Sequence, residues 1–390
     1  MHDRRIWIIF TIIFVNLLGF GIILPLMPYY AESLGASTLT IGLLFASYSL
    51  FQFLSAPILG ELSDKIGRRP ILLFSLLGTI ISFVLLGVAD SLPILFLARI
   101  VDGLSGGNIS TAQAYVADIT TKENRTQGMS ILAAAFGLGF ILGPSIGGLL
   151  SRYGYAVPAF VAAAIAFVSL VLTYFYLPET ANKQTSSKKR KLYFSLKDFI
   201  DALTHPKVGS VMTVYFLLML AFASMQGTFA LFAEHSLSLK ADTVGLLFGY
   251  LGVIGIIIQL FLLRKLTSRF SEGLLVIVGI SVMAIAFGFM TFARDIAHLL
   301  IAITGLAVGN SVTNPVLTGL VSKLSDQEEQ GSALGMFQSL ASIGRLIGPI
   351  AGTFLFSTYG AQAPFFAGSL LLVWAAGIGF RSLRITERNK

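Results

Sequence analysis

Twelve apolar stretches follow one another along this chain of 390 residues, and each is about as long as a bilayer is thick. An α-helix rises about 1.5 Å per residue, so about 20 apolar residues cross the roughly 30 Å of hydrocarbon in a membrane. Charged residues make up only 12% of the chain, whereas soluble domains carry about 25%. The sequence therefore predicts an all-α polytopic membrane protein with twelve transmembrane helices. The predicted spans cover residues 6–29, 40–61, 70–89, 92–117, 128–150, 156–177, 209–234, 242–264, 273–292, 296–320, 331–356 and 361–381.

Lysine and arginine collect in alternate connections between these spans. One set of connections holds most of them, including Lys65, Arg68 and the cluster between residues 183 and 207, whereas the other set holds Arg152, Lys240 and Arg294. Basic residues favour cytoplasmic loops, so we expect a multi-pass protein of the plasma membrane with both termini in the cytoplasm. This placement also explains the net charge of +8 without a nucleic-acid partner.

The composition excludes several kinds of chemistry. The chain has no cysteine, which excludes disulfides and thiolate catalysis, and its four histidines do not have the spacing of metal ligands. No nucleophile–base pattern emerges either. We therefore expect no metal, no cofactor and no enzymatic activity. We also expect a monomer in contact with membrane lipid.

The two halves of the sequence repeat each other. Residues 103–111 reappear as residues 305–313, at an offset of 202, and the Gly-Pro pair at 143–144 returns at 348–349. Each copy has an even number of spans, so the copies enter the membrane from the same side, as parallel repeats do. We expect two pseudo-symmetric six-helix bundles, residues 1–180 and 209–390, which place a binding site at their interface.

A polar segment, residues 181–208, links the two bundles. Apolar residues between Leu192 and Leu203 alternate with charged ones in a pattern that suits an amphipathic helix on the cytoplasmic leaflet. A simple tether is the alternative.

A charged connection between spans 2 and 3 resembles the cytoplasmic signature of the major facilitator superfamily, and the resemblance extends over essentially the whole chain. It implies that Asp64 and Arg68 form a cytoplasmic gate with an acid at the inner end of span 4, here Asp118. From the residues themselves, the glycines allow close backbone passage, and Asp64 is able to cap a helix start. The alternative is a plain topology anchor. The residues assigned to this gate are Gly60, Asp64, Gly67, Arg68, Arg69 and Asp118.

Span 5 resembles the antiporter signature of the same family. Spans 1 and 4 are also similar to those of the twelve-span drug:proton antiporters, the group of tetracycline and multidrug efflux proteins. The resemblance implies a secondary active transporter that exports amphipathic small molecules by proton antiport with alternating access. Generic helix packing is the alternative reading of the glycines. The signature residues are Gly139, Gly143, Pro144, Gly147 and Gly148.

Span 4 departs from that family at Asp102, where glutamine is usual. Asp102 follows Arg99 by three residues, so the two share one helix face and are able to pair. A charge inside a span is costly enough to suggest a purpose, and we interpret the pair as a proton switch. A permanent structural ion pair is the alternative. Glu234, at the outer end of span 7, is the second candidate for proton coupling.

Scattered polar residues among 32 phenylalanines suit a bulky and amphipathic ligand. Arg345 lies well inside span 11 and is interpreted either as a site for an anionic group or as the partner of a carboxylate. Asn108 and Asn310 are equivalent in the repeat, and bonding between helices is the alternative role for both. The candidate substrate-binding residues are Asn16, Gln52, Asn108, Gln113, Gln226, Gln259, Asn310, Asn314, Gln338 and Arg345.

Two other functions fit the same fold. A lipid or anionic-metabolite carrier would use Arg345. A non-transporting membrane receptor or scaffold would use neither the gate nor the antiporter signature.

Overall fold

A computed structural model describes residues 4–106, 108–121, 124–180, 196–205, 208–325 and 330–388. Within these residues, twelve helices are long and apolar enough to cross a membrane, and no residue lies in a β-strand. Backbone groups in lipid must be satisfied within the segment, which a helix achieves. The prediction of an all-α membrane protein is confirmed. The helices of the spans are Arg4–Ser33, Thr38–Ile66, Arg68–Gly87, Leu92–Ser105 with Asn108–Ile119, Arg125–Leu150, Ala156–Tyr176, Gly209–Leu237, Ala241–Ile257 with Leu263–Arg269, Glu272–Met290, Ile296–Leu324, Gln330–Tyr359 and Ala363–Arg388.

Several of these helices extend beyond the predicted spans. Span 2 was predicted over residues 40–61, whereas its helix covers Thr38–Ile66 and includes Glu61, Asp64 and Lys65. The prediction was wrong at this end because it followed the apolar run, and helical hydrogen bonding continues into the polar region where water satisfies the charges.

The connections around span 3 are short. A short loop connects spans 3 and 4, and Gly67, a glycine with φ of 117°, joins spans 2 and 3. We call the side of the membrane where Gly67 lies the basic side.

Span 4 is described as two helices, Leu92–Ser105 and Asn108–Ile119, and residue 107 between them lies outside the described residues. Span 8 contains a π-helical turn, Ile258–Leu262, between its two α-helical parts. The side chains of Leu260 and Phe261 in this turn are both 69% exposed.

The chain divides into two compact units. Unit 1 comprises Met1–Ser37, Ser47–Tyr193 and Ala241–Gly249, and unit 2 comprises Thr38–Ala46, Phe194–Lys240 and Tyr250–Lys390. The start of span 8 therefore belongs to unit 1, and the start of span 2 belongs to unit 2. The division into two six-helix bundles at residues 1–180 and 209–390 stays a prediction.

The repeated glycines have the same packing role in both units. In unit 1, a Cβ on Gly143 would lie 2.6 Å from the carbonyl oxygen of Leu18 in span 1. In unit 2, a Cβ on the equivalent Gly348 would lie 2.8 Å from the carbonyl oxygen of Leu220 in span 7. Only glycine allows helix backbones to approach this closely. The glycines thus hold span 5 against span 1 and span 11 against span 7.

Part of the linker between the spans is helical. The helix Leu196–Thr204 packs on the start of span 7, where a Cβ on Gly209 would lie 2.5 Å from the carbonyl oxygen of Leu203. Ala202 is buried, whereas Ile200 and Asp201 are exposed. Residues 181–195, which include the start of the predicted amphipathic segment, lie outside the described residues, and the placement of the helix on the membrane surface stays a prediction.

Candidate functional site

A buried ion pair lies inside span 4. The Nη1 atom of Arg99 is 2.9 Å from Oδ2 of Asp102, and the two side chains are 1% and 7% exposed. Their spacing of three residues places both on one face of the helix. A buried charge is costly without a partner, so the pair exists as a unit in which each charge stabilises the other.

An aromatic ring from span 2 completes the surroundings of Arg99. The guanidinium carbon lies 4.4 Å from the centre of the Tyr48 ring, which is a cation–π arrangement. The hydroxyl of Tyr48 accepts a hydrogen bond of 2.9 Å from Nε2 of Gln52, and the same Nε2 is 3.2 Å from the carbonyl oxygen of Gly106. Gln52 therefore joins Tyr48 to span 4 and positions the ring over Arg99.

The contact between spans 2 and 4 is close because Gly103 lies at their crossing. A Cβ on Gly103 would be 2.5 Å from the carbonyl oxygen of Tyr48, and Ser55 donates a hydrogen bond of 3.1 Å to the carbonyl of Gly103. The Nε atom of Arg99 is buried without a hydrogen-bond partner. Unit 1 thus holds a cation whose charge is balanced by one carboxylate and one aromatic face.

The predicted gate residues meet on the basic side of unit 1. The guanidinium of Arg68 forms ion pairs with Asp64 and with Asp118, the latter at 3.2 Å from Nε to Oδ2. Its Nη1 also donates a hydrogen bond of 2.6 Å to Oγ of Ser63. The Arg68 side chain is only 14% exposed. One arginine therefore joins the end of span 2 to the end of span 4.

A residue at the end of span 6 provides the cap for span 3. The carboxylate of Glu179 accepts hydrogen bonds from the backbone N–H groups of Arg68 and Arg69, at 2.9 Å and 3.1 Å. These are free donors at a helix start, where a carboxylate is favoured. The predicted cap by Asp64 is wrong, because Asp64 lies within the last turns of the span 2 helix.

The two glycines of the gate differ in their roles. Gly67 has φ of 117°, a conformation that residues with a side chain rarely adopt, and a Cβ placed there would clash with the Glu179 carboxylate. Gly60 lies within a helix, and the nearest atom to a Cβ placed there would be Oγ of Ser110 at 3.9 Å. The predicted close backbone passage is therefore wrong at Gly60. Arg69 turns toward span 6, where its Nη2 donates a hydrogen bond of 2.5 Å to the carbonyl of Tyr174.

The antiporter-like glycines of span 5 pack against two different spans. Gly139, Gly143 and Gly147 are in contact with the backbone of span 1, whereas Gly148 is in contact with the start of span 8. A Cβ on Gly148 would lie 2.9 Å from both Cα of Gly245 and the carbonyl oxygen of Ala241. Pro144 belongs to the same contact, since its carbonyl oxygen is near Gly245.

An ion pair closes the end of this contact, on the side opposite to the basic side. The Nε atom of Arg152 donates to Oδ2 of Asp242 at 2.7 Å, and the Asp242 side chain is only 16% exposed. The backbone N–H of Thr243 also donates to Oδ1 of Asp242, at 2.6 Å. The sequence interpretation missed this pair because its members are 90 residues apart and each is an ordinary loop charge by itself.

The candidate substrate-binding residues fall into both units. In unit 1, Asn16 is buried, Gln52 is held by Tyr48, and Gln113 is exposed; Asn108 begins a helix, and its side chain is outside the described part of the chain. In unit 2, Gln226, Asn310, Asn314 and Arg345 are half-buried, and Gln259 and Gln338 are exposed. Oδ1 of Asn310 is buried without a hydrogen-bond partner.

The two remaining ionisable candidates lie at different depths. Arg345 is near the middle of its helix, Gln330–Tyr359, and donates from Nη2 to Oγ of Ser342 at 3.1 Å. Glu234 is half-buried in the last turn of span 7, which ends before Ser238. Glu234 therefore lies at a helix end, whereas Arg345 lies at a depth where charge is most costly.

The chain belongs to the major facilitator superfamily. The family model "Major Facilitator Superfamily" matches residues 9–309 and 211–390. The tetracycline resistance protein of class C from Escherichia coli is 30% identical over 380 residues, which cover 96% of this chain and 94% of that protein. Multidrug resistance protein 2 from Bacillus subtilis (strain 168) is 28% identical over 388 residues, with 98% and 95% covered. The protein is thus a multi-pass membrane transporter of small molecules and not an enzyme.

Solved structures agree on the fold. The human organic anion transporter MFSD10 (TETRAN) has a TM-score of 0.72 and 24% identity, covering 96% of this chain and 99% of that one. A bacterial homologue of the human lysosomal transporter Spinster has a TM-score of 0.77 and 14% identity, with 98% of both chains covered.

Proposed function

We propose that this transporter exports amphipathic small molecules across the plasma membrane in exchange for protons. The observation that carries the proposal is the ion pair of Arg99 and Asp102 inside span 4. The two side chains are 1% and 7% exposed, so unit 1 holds both charges in its interior. The similarity to tetracycline and multidrug resistance proteins supports the export of drug-like molecules. The distribution of basic residues supports a topology with both termini in the cytoplasm.

Protonation of Asp102 is the chemical step that we assign to coupling. A proton bound to the carboxylate neutralises it, and the charge-assisted bond from Arg99 to Oδ2 is weakened. Arg99 keeps its charge and its contact with the Tyr48 ring. A buried cation that has lost its counter-ion is costly, so the protonated form favours an arrangement in which Arg99 gains water or a substrate group.

Two sets of contacts are suited to hold alternate sides of the transporter closed. On the basic side, Arg68 joins spans 2 and 4 through Asp64 and Asp118. On the opposite side, Arg152 and Asp242 join the end of span 5 to the start of span 8. Both sets are formed in this structure, and in an alternating-access cycle each would open in turn. The half-buried polar residues of the spans would then contact the substrate in turn.

The test uses purified protein in sealed vesicles with an imposed pH gradient. We expect Asp102→Asn to abolish uptake driven by the gradient while exchange of labelled substrate without a gradient continues, because an amide cannot cycle a proton. The amide oxygen still accepts a hydrogen bond from Arg99, so thermal unfolding should remain cooperative. Asp90→Asn is the matched control, since Asp90 is an exposed loop aspartate.

A wild-type rate of gradient-driven uptake by the Asp102→Asn protein would contradict the coupling assignment. Glu234→Gln addresses the second carboxylate. We expect this variant to keep gradient-driven uptake, because Glu234 lies in the last turn of span 7. Loss of coupling only in the Glu234→Gln protein would transfer the proton site to that residue.

A further inference from the structure

An apolar groove lies between spans 3 and 6 of unit 1, with a volume of about 300 Å³. Both helices line it with residues at the same spacing, and positions three or four apart on a helix share one face. The lining residues are Leu73, Phe74 and Leu77 in span 3 and Leu170, Val171 and Tyr174 in span 6. Phe74 and Tyr174 are 59% and 57% exposed, so the groove opens toward the surroundings of the protein.

Arg69 lies at the end of this groove on the basic side. Leu73 and Leu77 follow it by four and eight residues, so Arg69 continues the same face of span 3. Its Nη2 donates a hydrogen bond to the carbonyl of Tyr174, and its guanidinium carbon lies 5.6 Å from the centre of the Tyr174 ring. This distance is within the range of a cation–π contact. The cation is therefore held against a residue that lines the groove.

The carboxylates near Arg69 bind other groups. Glu179 accepts hydrogen bonds from three backbone N–H groups. Asp64 and Asp118 both pair with Arg68. In the described part of the chain, the guanidinium of Arg69 is bound by a carbonyl oxygen and a ring, and its Nε has no hydrogen-bond partner. Since a guanidinium has five N–H donors, donors remain for an anion at the end of the groove.

The depth of Arg69 indicates which anion reaches it. Arg69 is the second residue of the span 3 helix, and Tyr174 belongs to the last turn of the span 6 helix. Helices that end at this level have passed from the hydrocarbon to the lipid headgroups. Exposed aromatic residues are typical of the same level, and Tyr174, Phe175 and Tyr176 are all exposed. Leu77 lies about 12 Å farther along span 3, at about 1.5 Å per residue, and therefore within the hydrocarbon.

We propose that this groove binds an anionic phospholipid of the leaflet on the basic side. The lipid phosphate accepts hydrogen bonds from Arg69, since a planar guanidinium matches phosphate oxygens. One acyl chain follows the groove from Arg69 toward Leu77. Basic sites between transmembrane helices bind anionic headgroups in the same way. The site does not include Arg99 or Asp102, so the proposal does not rest on the proposed function.

The test uses the full-length protein in nanodiscs of phosphatidylcholine. The probe is phosphatidylglycerol with a photoreactive diazirine in one acyl chain, and its comparison is phosphatidylcholine with the same modified chain. Both lipids have a phosphate, but only phosphatidylglycerol has a net negative charge. Peptide mass spectrometry after illumination locates the adducts. We expect the phosphatidylglycerol probe to label the residues of the groove more strongly than the phosphatidylcholine probe. Soluble glycerophosphoglycerol, which has no acyl chains, should not reduce the labelling.

Three variants separate the headgroup contact from the groove. Arg69→Gln should lower labelling of the groove by the phosphatidylglycerol probe about tenfold, because a hydrogen bond between charged groups is lost. It should leave labelling by the phosphatidylcholine probe unchanged, and Arg69→Lys should keep part of the preference. Leu77→Trp fills the groove from an exposed position and should lower labelling by both probes. Arg264→Gln is the matched control, because Arg264 is an exposed cation near the end of span 8 on the basic side, and it should change neither yield.

Equal labelling of the groove by the two probes in the wild-type protein would overturn the proposal. An unchanged preference in the Arg69→Gln protein, or undiminished labelling in the Leu77→Trp protein, would do the same. Loss of labelling by both probes in the Arg69→Gln protein would show that Arg69 only holds the two helices together, and the headgroup assignment would be wrong. Displacement of the probe by glycerophosphoglycerol would replace the lipid with a soluble phosphate ester.

Discussion

The carboxylate of Glu179 accepts a hydrogen bond of 2.9 Å from the backbone N–H of Arg68. Glu179 lies just after span 6, whereas Arg68 is the first residue of the span 3 helix. The contact joins two helix ends that are 111 residues apart in the sequence. The arginine that holds the gate is therefore itself positioned by an acid at the end of span 6.

Replacing Glu179 tests this helix cap. We expect Glu179→Ala to lower the free energy of unfolding by about 1–2 kcal/mol, the cost of losing a cap, and to slow transport. Glu179→Gln should have a smaller effect, because the amide oxygen still accepts from one N–H group. Thermal unfolding in detergent measures the first effect. Glu61→Ala is the control, since Glu61 forms only an exposed pair with Lys65.

Replacing Asp64 tests the gate. We expect Asp64→Asn to reduce the transport rate severalfold without loss of folding, because Arg68 keeps its bonds to Asp118 and Ser63. Cysteines introduced on either side of the membrane should show the same labelling pattern, since the chain has none of its own. A wild-type rate would show that the connection is only a topology anchor.

Replacing Gly148 tests the contact between spans 5 and 8. A Cβ at this position would be 2.9 Å from backbone atoms that cannot rotate away. We expect Gly148→Ala to cost about 1–3 kcal/mol through overpacking and to impair transport. Gly319→Ala is the matched control, because a Cβ there meets no atom within 4 Å. Helix propensity predicts that the Gly319 variant is neutral or slightly more stable. Equal melting temperatures for the two variants would contradict the packing role.

A reversible cross-link tests whether Arg152 and Asp242 must separate during transport. The variant Arg152→Cys with Asp242→Cys has only these two cysteines. The native contact of 2.7 Å joins Oδ2 to Nε of a long arginine side chain, so the two thiols are joined by a bifunctional methanethiosulfonate reagent and not by a direct disulfide. Cross-linking should stop transport, and reduction should restore it. The exchanged pair, Arg152→Asp with Asp242→Arg, should recover more activity than either single variant. Continued transport by the cross-linked protein would exclude opening at this contact.

The sequence predicted what depends on short spacing. The spans follow from apolar length, and the pair of Arg99 and Asp102 follows from a separation of three residues on a helix. The ion pair of Arg68 and Asp118 was predicted only from the resemblance to a family, because 50 residues separate the two in the sequence.

Other parts of the site leave no local signal. Tyr48 has the sequence context of any aromatic residue in a span, and only the crossing of spans 2 and 4 at Gly103 brings it over Arg99. The role of Glu179 also has no local sequence signal. The helix start of span 3 is capped by this distant residue and has no capping residue of its own. The helix ends differ from the predicted ends of the spans. The length of an apolar run reflects the thickness of the membrane, whereas helical hydrogen bonding continues beyond it.

The π-helical turn Ile258–Leu262 changes how span 8 presents its side chains. Such a turn accommodates one residue more than an α turn, and each residue of an α-helix advances the chain by about 100° around the axis. The part of span 8 that follows Leu262 is therefore rotated by about that angle relative to an uninterrupted helix. The side chains of Arg264 and Lys265 therefore point in directions that a helical wheel drawn from Ala241 would assign to neighbouring positions. The faces of span 8 in a mutational scan have to be assigned separately before and after the turn.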